Sequence, residues 1–160
     1  MRSARKQNTA QCEIRMTVLG ILEHRDIVLR AVSSACRLVT SSPQGRDFQS
    51  QVVSAVSEAF NNLVLHGYEG RDDGRIEVLI RPSDGQIQIE VRDWGKGFDP
   101  SAVPLPKLEE LPESGLGLFI MQSFMVMKYR RGRPNLLTLS KKVEPAAASA
   151  EMAAPRTASG

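Results

Sequence analysis

The sequence predicts a two-layer α+β sandwich, with helices packed on one face of a mixed, mostly antiparallel sheet. One observation is that apolar and polar residues alternate in segments 75–81 and 86–92, on either side of Pro82-Ser-Asp-Gly85. This pattern is typical of an antiparallel hairpin. A second observation is that two long segments with helical spacing, 21–40 and 46–66, precede the hairpin. Helices grouped between antiparallel strands favour a two-layer arrangement.

The first elements along the chain are a predicted strand and a predicted helix. From Cys12 to Val18 every second residue is apolar, which indicates a half-buried strand. Residues 21–40 repeat apolar side chains every three or four positions, which indicates an amphipathic helix. The predicted apolar face of this helix comprises Ile27, Val28, Ala31, Val32, Ala35 and Leu38. A strand and an apolar helix of this kind can be shared across a two-fold axis, so we expect a homodimer.

The second predicted helix carries a polar stripe. Glu58, Asn62 and His66 are spaced four residues apart, which places them on one helix face. Asn61 and Asn62 are weak helix formers in the middle of a helix, so helix propensity does not explain their presence. The stripe is either a solvated face or part of a site that contains a carboxylate base and a metal-holding amide. His66 either reaches a phosphate or is a satisfied histidine at the helix end, where Gly67 is the predicted C-cap.

A glycine loop, Asp93-Trp-Gly95-Lys-Gly97, directly follows the second hairpin strand. Two glycines one residue apart permit unusual backbone conformations and the close approach of a ligand. The preceding carboxylate could accept a hydrogen bond from an exocyclic amine, although a plain turn would explain the same residues. Segment 98–113 follows, with four prolines and little periodicity. It is predicted to be a lid or a binding loop.

A second glycine pair opens the next predicted helix, for which Ser114 is a natural N-cap. The residues on its helical steps are Leu118, Met121, Phe124, Met125 and Lys128. Backbone N–H groups at a helix start suit an anion when no side chain obstructs them, as at Gly115 and Gly117. A simple helix cap is the alternative. Residues 130–134 are a predicted basic turn, either solvated or able to dock an acidic partner, and residues 135–141 are a predicted last strand.

The charge of the chain does not indicate a nucleic-acid-binding protein. The formal net charge is +3, of which the first eleven residues contribute three positive charges. The residues from Glu144 onward contribute a net of −1, so the part between them carries only +1. A domain with so small an excess lacks the basic footprint that nucleic acid requires.

Composition also predicts the compartment and the domain boundaries. Cys12 and Cys36 have no metal-ligand spacing, and two cysteines in a chain of this size suggest a reduced compartment. No apolar run approaches the roughly 18 residues of a membrane span. We therefore expect a cytoplasmic protein without a membrane contact. It is predicted to have a disordered leader over 1–11, one domain over 12–143 and a disordered Ala/Pro/Ser-rich tail over 144–160.

The ordered combination of these motifs resembles the GHKL superfamily of ATP-binding domains. Glu58-Ala-Phe-Asn-Asn62-Leu-Val-Leu-His66-Gly67-Tyr68 resembles the N-box of the small anti-sigma-factor serine kinases. The Asp93–Gly97 segment resembles the G1 box, and Ser114-Gly-Leu-Gly-Leu-Phe-Ile-Met121 resembles the G2 box. The similarity covers about residues 12–142. It implies the histidine-kinase-like ATPase fold.

The resemblance also implies a role for each motif residue. Glu58 would activate the attacking hydroxyl, and Asn62 would ligate a Mg²⁺ ion that bridges the phosphates of ATP. Asp93 would receive the adenine amino group in a pocket shaped by Gly95 and Gly97. The phosphates would be wrapped by the lid and by the helix start, which consists of Ser114, Gly115, Leu116 and Gly117. Phosphoryl transfer needs mainly positioning and charge neutralisation, and these are the parts that it requires.

Three functions are compatible with these motifs. The first is an ATP-dependent serine/threonine kinase of the anti-sigma-factor type, which by resemblance phosphorylates a STAS-type antagonist (an anti-anti-sigma protein) and sequesters a sigma factor. The second is a regulatory switch that binds ATP and a partner without phosphotransfer. The presence of Glu58 favours the kinase, because a pure binding module needs no base. The third is a phosphorelay ATPase, which the missing dimerisation helices and phosphoacceptor histidine argue against.

Overall fold

The computed structural model describes residues 12–40, 45–97 and 115–144. Along the chain these form strand β1 (Ile14–Leu19), a 3₁₀ turn (Leu22–His24), helix α1 (Arg25–Val39), helix α2 (Gly45–Asn62), a π-turn (Leu63–Gly67), strands β2 (Arg75–Ser83) and β3 (Gln86–Asp93), helix α3 (Leu116–Phe124), and strands β4 (Val126–Arg130) and β5 (Asn135–Lys142). The predicted leader, the predicted lid and all of the predicted tail except Glu144 lie outside the described residues. Within them, no helix is both long and apolar enough to cross a membrane.

The five strands form one sheet in the order β1-β2-β3-β5-β4. Each of its four pairings is antiparallel, so the described sheet is antiparallel rather than mixed. The predicted α+β sandwich is confirmed, with the three helices on one face of this sheet. The hairpin pairs as the turn chemistry predicts, and Ile80 lies opposite Ile89 in the β2–β3 register.

The core lies between the helices and the inward face of the sheet. Its fully buried side chains include Phe60, Ile76, Ile80, Ile89 and Leu139. Burying one such side chain stabilises the fold by about 1.5–3 kcal/mol before the loss of conformational entropy is subtracted. The opposite face of the sheet is covered by charged side chains and ion pairs, among them Arg81 with Glu13 at 2.8 Å.

The buried face of α1 is narrower than its set of regularly spaced apolar residues. Its buried residues are Val28, Val32, Ala35, Cys36 and Val39. Ile27 and Leu38 share the helical spacing, but their exposed fractions are 54% and 58%. The apolar stripe of this helix is therefore wider than the surface that α2 and the sheet cover.

The third helix is shorter in the structure than the sequence predicts. Helix α3 ends at Phe124, and residues Val126 to Arg130 form the edge strand β4, which pairs with β5. Lys128 was placed on the helix and instead lies opposite Thr138 in this strand pair. Pairing with β5 gives the backbone N–H and C=O groups of this short segment more hydrogen-bond partners than one isolated helical turn would. The exposure of β4 alternates along the strand, but five residues are too few for this alternation to stand out in the sequence.

Candidate functional site

Helix α2 places Glu58 and Asn62 near its end, one turn apart and both half-buried. The carboxylate of Glu58 lies against the first turn of α3. An added Cβ at Gly117 would overlap Oε2 of Glu58. A side chain at position 117 would therefore displace the Glu58 carboxylate from the start of α3, a contact that the sequence could not reveal because it joins two helices.

The start of α3 is open at the backbone. The helix begins at Leu116, with Gly115 at the N-cap position, where it offers no side chain to the first turn. Leu116 is largely exposed, and Ser114 lies outside the described residues. The first N–H groups of a helix have no partner within the helix and carry the positive end of its dipole. This end of α3, with the Glu58 carboxylate beside it, can hold an anionic group close to a carboxylate base.

Asp93 ends strand β3 and is almost completely buried, with an exposed fraction of 2%. Its Oδ1 accepts two hydrogen bonds, from the backbone N–H of Gly95 at 3.0 Å and from Nδ2 of Asn135 at 3.0 Å. Burial raises the pKa of this carboxyl, while the Asn135 and Gly95 hydrogen bonds act to lower it. With Oδ1 saturated, Oδ2 is the oxygen left to accept a hydrogen bond from a ligand.

Asn135 is a site residue that the sequence reasoning missed. It opens β5 directly opposite Asp93 in the sheet register and is equally buried. Its Nδ2 also donates to the carbonyl of Gly95 at 3.1 Å, and its Oδ1 accepts from the N–H of Gly132 at 3.1 Å. Asparagine is uncommon in β-strands, so its presence at the start of a predicted strand was the available signal. Without the register, nothing in the sequence connected it to Asp93.

Replacing Asn135 with alanine is expected to make ligand binding more sensitive to acid. The Asn135 hydrogen bond favours the ionised form of Asp93, so its loss raises the Asp93 pKa further. Binding that needs the carboxylate is present above this pKa and is lost as the pH falls through it. For a ligand that binds this carboxylate, the loss of affinity on acidification should therefore begin at a higher pH in Asn135→Ala. Titration calorimetry across a pH series measures this, and identical pH profiles for both proteins would contradict it.

The glycine loop is held tightly against the π-turn that follows α2. An added Cβ at Gly95 would overlap the carbonyl oxygen of Gly67, and the N–H of Lys96 donates to that same oxygen at 3.1 Å. Gly97 has a φ of +81°, in the left-handed region that favours glycine. Tyr68 adds a further link, because its buried hydroxyl accepts a hydrogen bond from the N–H of Trp94 at 3.0 Å. These contacts join the glycine loop to the π-turn that follows α2.

The π-turn explains the position of His66. Its hydrogen bonds include one from the N–H of Tyr68 to the carbonyl of Leu63, at 2.8 Å. Such i→i+5 bonds insert an extra residue into the turn, so residues after Asn62 no longer follow the α-helical stripe. His66 is exposed and is not the third member of a straight stripe. The chain leaves the turn through Glu69 and Gly70, which both have a positive φ. Gly67 was predicted to be the C-cap of the helix, but these two residues take that role.

Asn62 and Asp93 line a small pocket between α2, α3 and the sheet. The other lining residues are Ala59, Leu63, Met121, Tyr129 and Leu137. The pocket measures about 20 Å³, which is room for about one water molecule. A planar ring can enter only if lining side chains move, and Met121 is the flexible one among them. The predicted residues therefore converge on one region: Glu58 at the start of α3, Asn62 and Asp93 in the pocket, and the glycine loop at its edge.

Comparison with known proteins identifies similarities over most of the chain. Residues 22–141 match the family model described as the histidine kinase-like ATPase domain. The anti-sigma F factor of Clostridium botulinum (strain Eklund 17B / Type B) is 39% identical over 84 residues, which are 48% of this chain and 56% of that protein. The anti-sigma F factor of Halalkalibacterium halodurans is 34% identical over 83 residues, which are 49% of this chain and 57% of that protein. The chain thus spans about half the length of the known relatives that it matches.

A solved structure shares the fold. It is the histidine kinase domain from the Erythrobacter litoralis EL346 blue-light activated histidine kinase, with a TM-score of 0.50 and 15% sequence identity. The similarity covers 74% of this chain and 61% of that one. At this identity the likeness supports the arrangement of helices and strands only.

Proposed function

Because this chain belongs to the histidine kinase-like ATPase domain family, we propose that it is an ATP-dependent serine/threonine protein kinase of the anti-sigma-factor type. In this proposal it phosphorylates a STAS-type antagonist and sequesters a sigma factor. The similarity to anti-sigma F factors over about half their length supports the partner class. The single observation that carries the kinase proposal is the Glu58 carboxylate at the first turn of α3, beside the pocket of Asn62 and Asp93.

The adenine base binds at Asp93 in this proposal. Oδ2 of Asp93 accepts a hydrogen bond from the exocyclic amine, because the hydrogen bonds from Gly95 and Asn135 already saturate Oδ1. Gly95 and Gly97 shape the edge of the pocket, where side chains at either position would collide with neighbouring atoms. Opening of the pocket at Met121 and Tyr129 accompanies entry of the base.

Asn62 is the proposed ligand of Mg²⁺. Among the described residues no group of three or more His, Cys, Asp or Glu side chains could hold a metal ion. Magnesium in phosphoryl-transfer sites is usually held by one or two protein groups, substrate phosphates and water, and a single amide oxygen fits this mode. The bound ion neutralises phosphate charge. The N–H groups at Gly115, Leu116 and Gly117, together with Ser114, hold the phosphates at the start of α3.

Glu58 is the proposed general base. Its carboxylate accepts the proton of the substrate serine hydroxyl as that oxygen bonds to the γ-phosphorus of ATP. The bond between this phosphorus and the β–γ bridging oxygen breaks, and ADP leaves with the electron pair. The contact of the Glu58 carboxylate with Gly117 supports this role, because it puts the proposed base beside the helix start that would hold the phosphates.

The alternative is a regulatory switch that binds ATP and a partner without transfer. The experiment that decides is capture of partners from native cytosol, followed by addition of radiolabelled ATP. We expect label on a serine or threonine of the captured antagonist. A partner that binds only with ATP present and acquires no label would replace the kinase with the switch.

A cytoplasmic location is part of the same proposal. Both Cys12 and Cys36 are free thiols, as expected in a reducing compartment. Burial raises the pKa of the Cys36 thiol to about 12, so this cysteine is an unreactive part of the core.

We further expect a homodimer formed through β1 and α1. In the described sheet β1 is an edge strand, which leaves backbone groups available for pairing with a second copy. Leu19, at the end of β1, is exposed, as are Leu22 and Ile27, which follow it in the chain. Ile27→Glu should convert a dimer into a monomer in sedimentation at roughly tens of micromolar. The matched control is Leu65→Glu, since Leu65 has the same 54% exposure and lies elsewhere. A monomeric wild-type protein would contradict the expectation.

A further inference from the structure

A cavity of about 360 Å³ opens beside the glycine loop. It lies between the segment before β2, the glycine loop and the turn that joins β4 to β5. Its lining residues are Arg71, Trp94, Gly95, Lys96, Arg131, Gly132, Arg133 and Asn135. We call it the cationic cavity, because four of these eight residues carry a positive charge.

Two of the four charges are neutralised locally and two are not. Arg71 pairs with Asp73 at 3.0 Å, and Lys96 pairs with Glu69. Arg131 donates through Nη2 to the neutral carbonyl of Lys96 at 3.0 Å. Among the described residues no carboxylate lies within ion-pair distance of Arg131 or Arg133. The β4–β5 turn therefore presents two guanidinium groups with uncompensated charge at the cavity.

Hydrogen bonds connect this turn to the carboxylate that we assign to adenine. The N–H of Gly132 donates to Oδ1 of Asn135, whose Nδ2 donates to Asp93. Arg131 reaches the backbone of the glycine loop at Lys96. Asn135 thus links the turn to Asp93 through two direct hydrogen bonds. Occupation of the cavity and binding at Asp93 share this network.

We propose that the cationic cavity docks an acidic segment of a partner protein, and that docking is thermodynamically coupled to nucleotide binding at Asp93. Guanidinium groups bind carboxylates through paired hydrogen bonds, which suits Glu and Asp side chains. The ring of Trp94, with the Arg75 guanidinium 5.0 Å from its centre, gives the cavity a firm apolar wall. The coupling depends on the proposed function, whereas the docking does not.

The charge distribution favours an acidic peptide over nucleic acid. Glu69, Asp72 and Asp73 are exposed in the segment that leads to the cavity. These carboxylates would repel a continuous phosphate backbone, which binds along an extended basic stripe. A short acidic segment can enter between them and reach the arginines.

Fluorescence anisotropy with a short labelled oligoglutamate peptide at low ionic strength tests the docking. The double substitution Arg131→Glu with Arg133→Glu should weaken binding by about tenfold or more, as expected when charge-assisted hydrogen bonds are lost. The control is Lys128→Glu with Lys142→Glu, which changes the net charge equally at two exposed strand positions. We expect the control to bind as the wild type does. Equal losses in both double variants, or no binding to the wild type, would overturn the docking.

A second probe and a second ligand complete the test. A single-stranded oligonucleotide of equal charge should bind more weakly than the peptide, and tighter binding that depends on Arg131 and Arg133 would overturn the choice of partner. Mg-ATP should change the peptide Kd by the same factor as the peptide changes the Mg-ATP Kd. Asn135→Ala should bring that factor toward one. A factor of one in the wild type would overturn the coupling.

The two proposals fail in different ways. Peptide binding that depends on the arginines, in a protein that does not bind Mg-ATP, would uphold the docking and contradict the kinase. Normal Mg-ATP binding with equal peptide losses in both double variants would uphold nucleotide binding and contradict the docking.

Discussion

Replacing Glu58 with glutamine is expected to slow phosphate transfer by about 10²- to 10⁴-fold, the usual contribution of a general base. Glutamine keeps the length and hydrogen-bonding reach of the side chain but cannot accept the proton of the attacking hydroxyl. The side chain would still fit against Gly117, so the start of α3 should remain intact. Mg-ATP affinity should therefore persist. The measurement is the initial rate of transfer to the captured partner at saturating ATP, alongside Mg-ATP binding by calorimetry.

The control for this experiment is Glu144→Gln, which removes the same charge from an exposed residue beyond β5. Its transfer rate should equal that of the wild type. A wild-type rate in Glu58→Gln would remove the base assignment. A loss of Mg-ATP affinity as large as the loss of rate would mean that Glu58 acts in binding rather than as a base.

Replacing Asp93 with asparagine is expected to lower ATP affinity by about 10- to 100-fold, the loss of one charge-assisted hydrogen bond of roughly 1.5–3 kcal/mol. The structure makes this expectation more specific. The donors of Gly95 and Asn135 both point at the Oδ1 position, so the new amide oxygen should occupy it. The NH₂ group then faces the ligand as a donor. It would oppose the amino group of adenine and match the 6-oxo group of guanine.

Calorimetry with Mg-ATP and Mg-GTP measures this change as a ratio of two affinities. The ratio should shift toward GTP in Asp93→Asn. It should not shift in Asp84→Asn, which alters an aspartate in the exposed turn between β2 and β3. An unchanged ratio in folded Asp93→Asn would contradict the assignment of this carboxylate to the adenine amine.

The secondary structure around the site could be predicted because it depends on local periodicity. The alternating residues of the hairpin predicted β2 and β3, and the Pro-Ser-Asp-Gly turn fixed their pairing. Helical spacing predicted α2, so Glu58 and Asn62 were correctly placed one turn apart. The confirmed α+β sandwich followed from these patterns, since each amphipathic element needs a layer to cover its apolar face.

Other elements depended on partners distant in the sequence. Strand β4 was assigned to a helix because five residues carry too little periodicity to outweigh the helical pattern before them. Ile27 and Leu38 have the helical spacing of the buried residues of α1 but are exposed, because the spacing does not determine how wide the covered face of a helix is. The π-turn after Asn62 was not predicted, since helical spacing does not distinguish its i→i+5 hydrogen bonds from those of an α-helix.

The sequence alone determined the residue types of the site motifs and their order. It also predicted that these motifs act together. The tertiary structure decided which atoms meet. Asn135 reaches Asp93 across a separation of 42 residues, and Gly117 makes room for Glu58 on another helix. The reason is that such contacts depend on sheet register and helix packing, which are set by the summed burial of the whole core rather than by neighbouring residues.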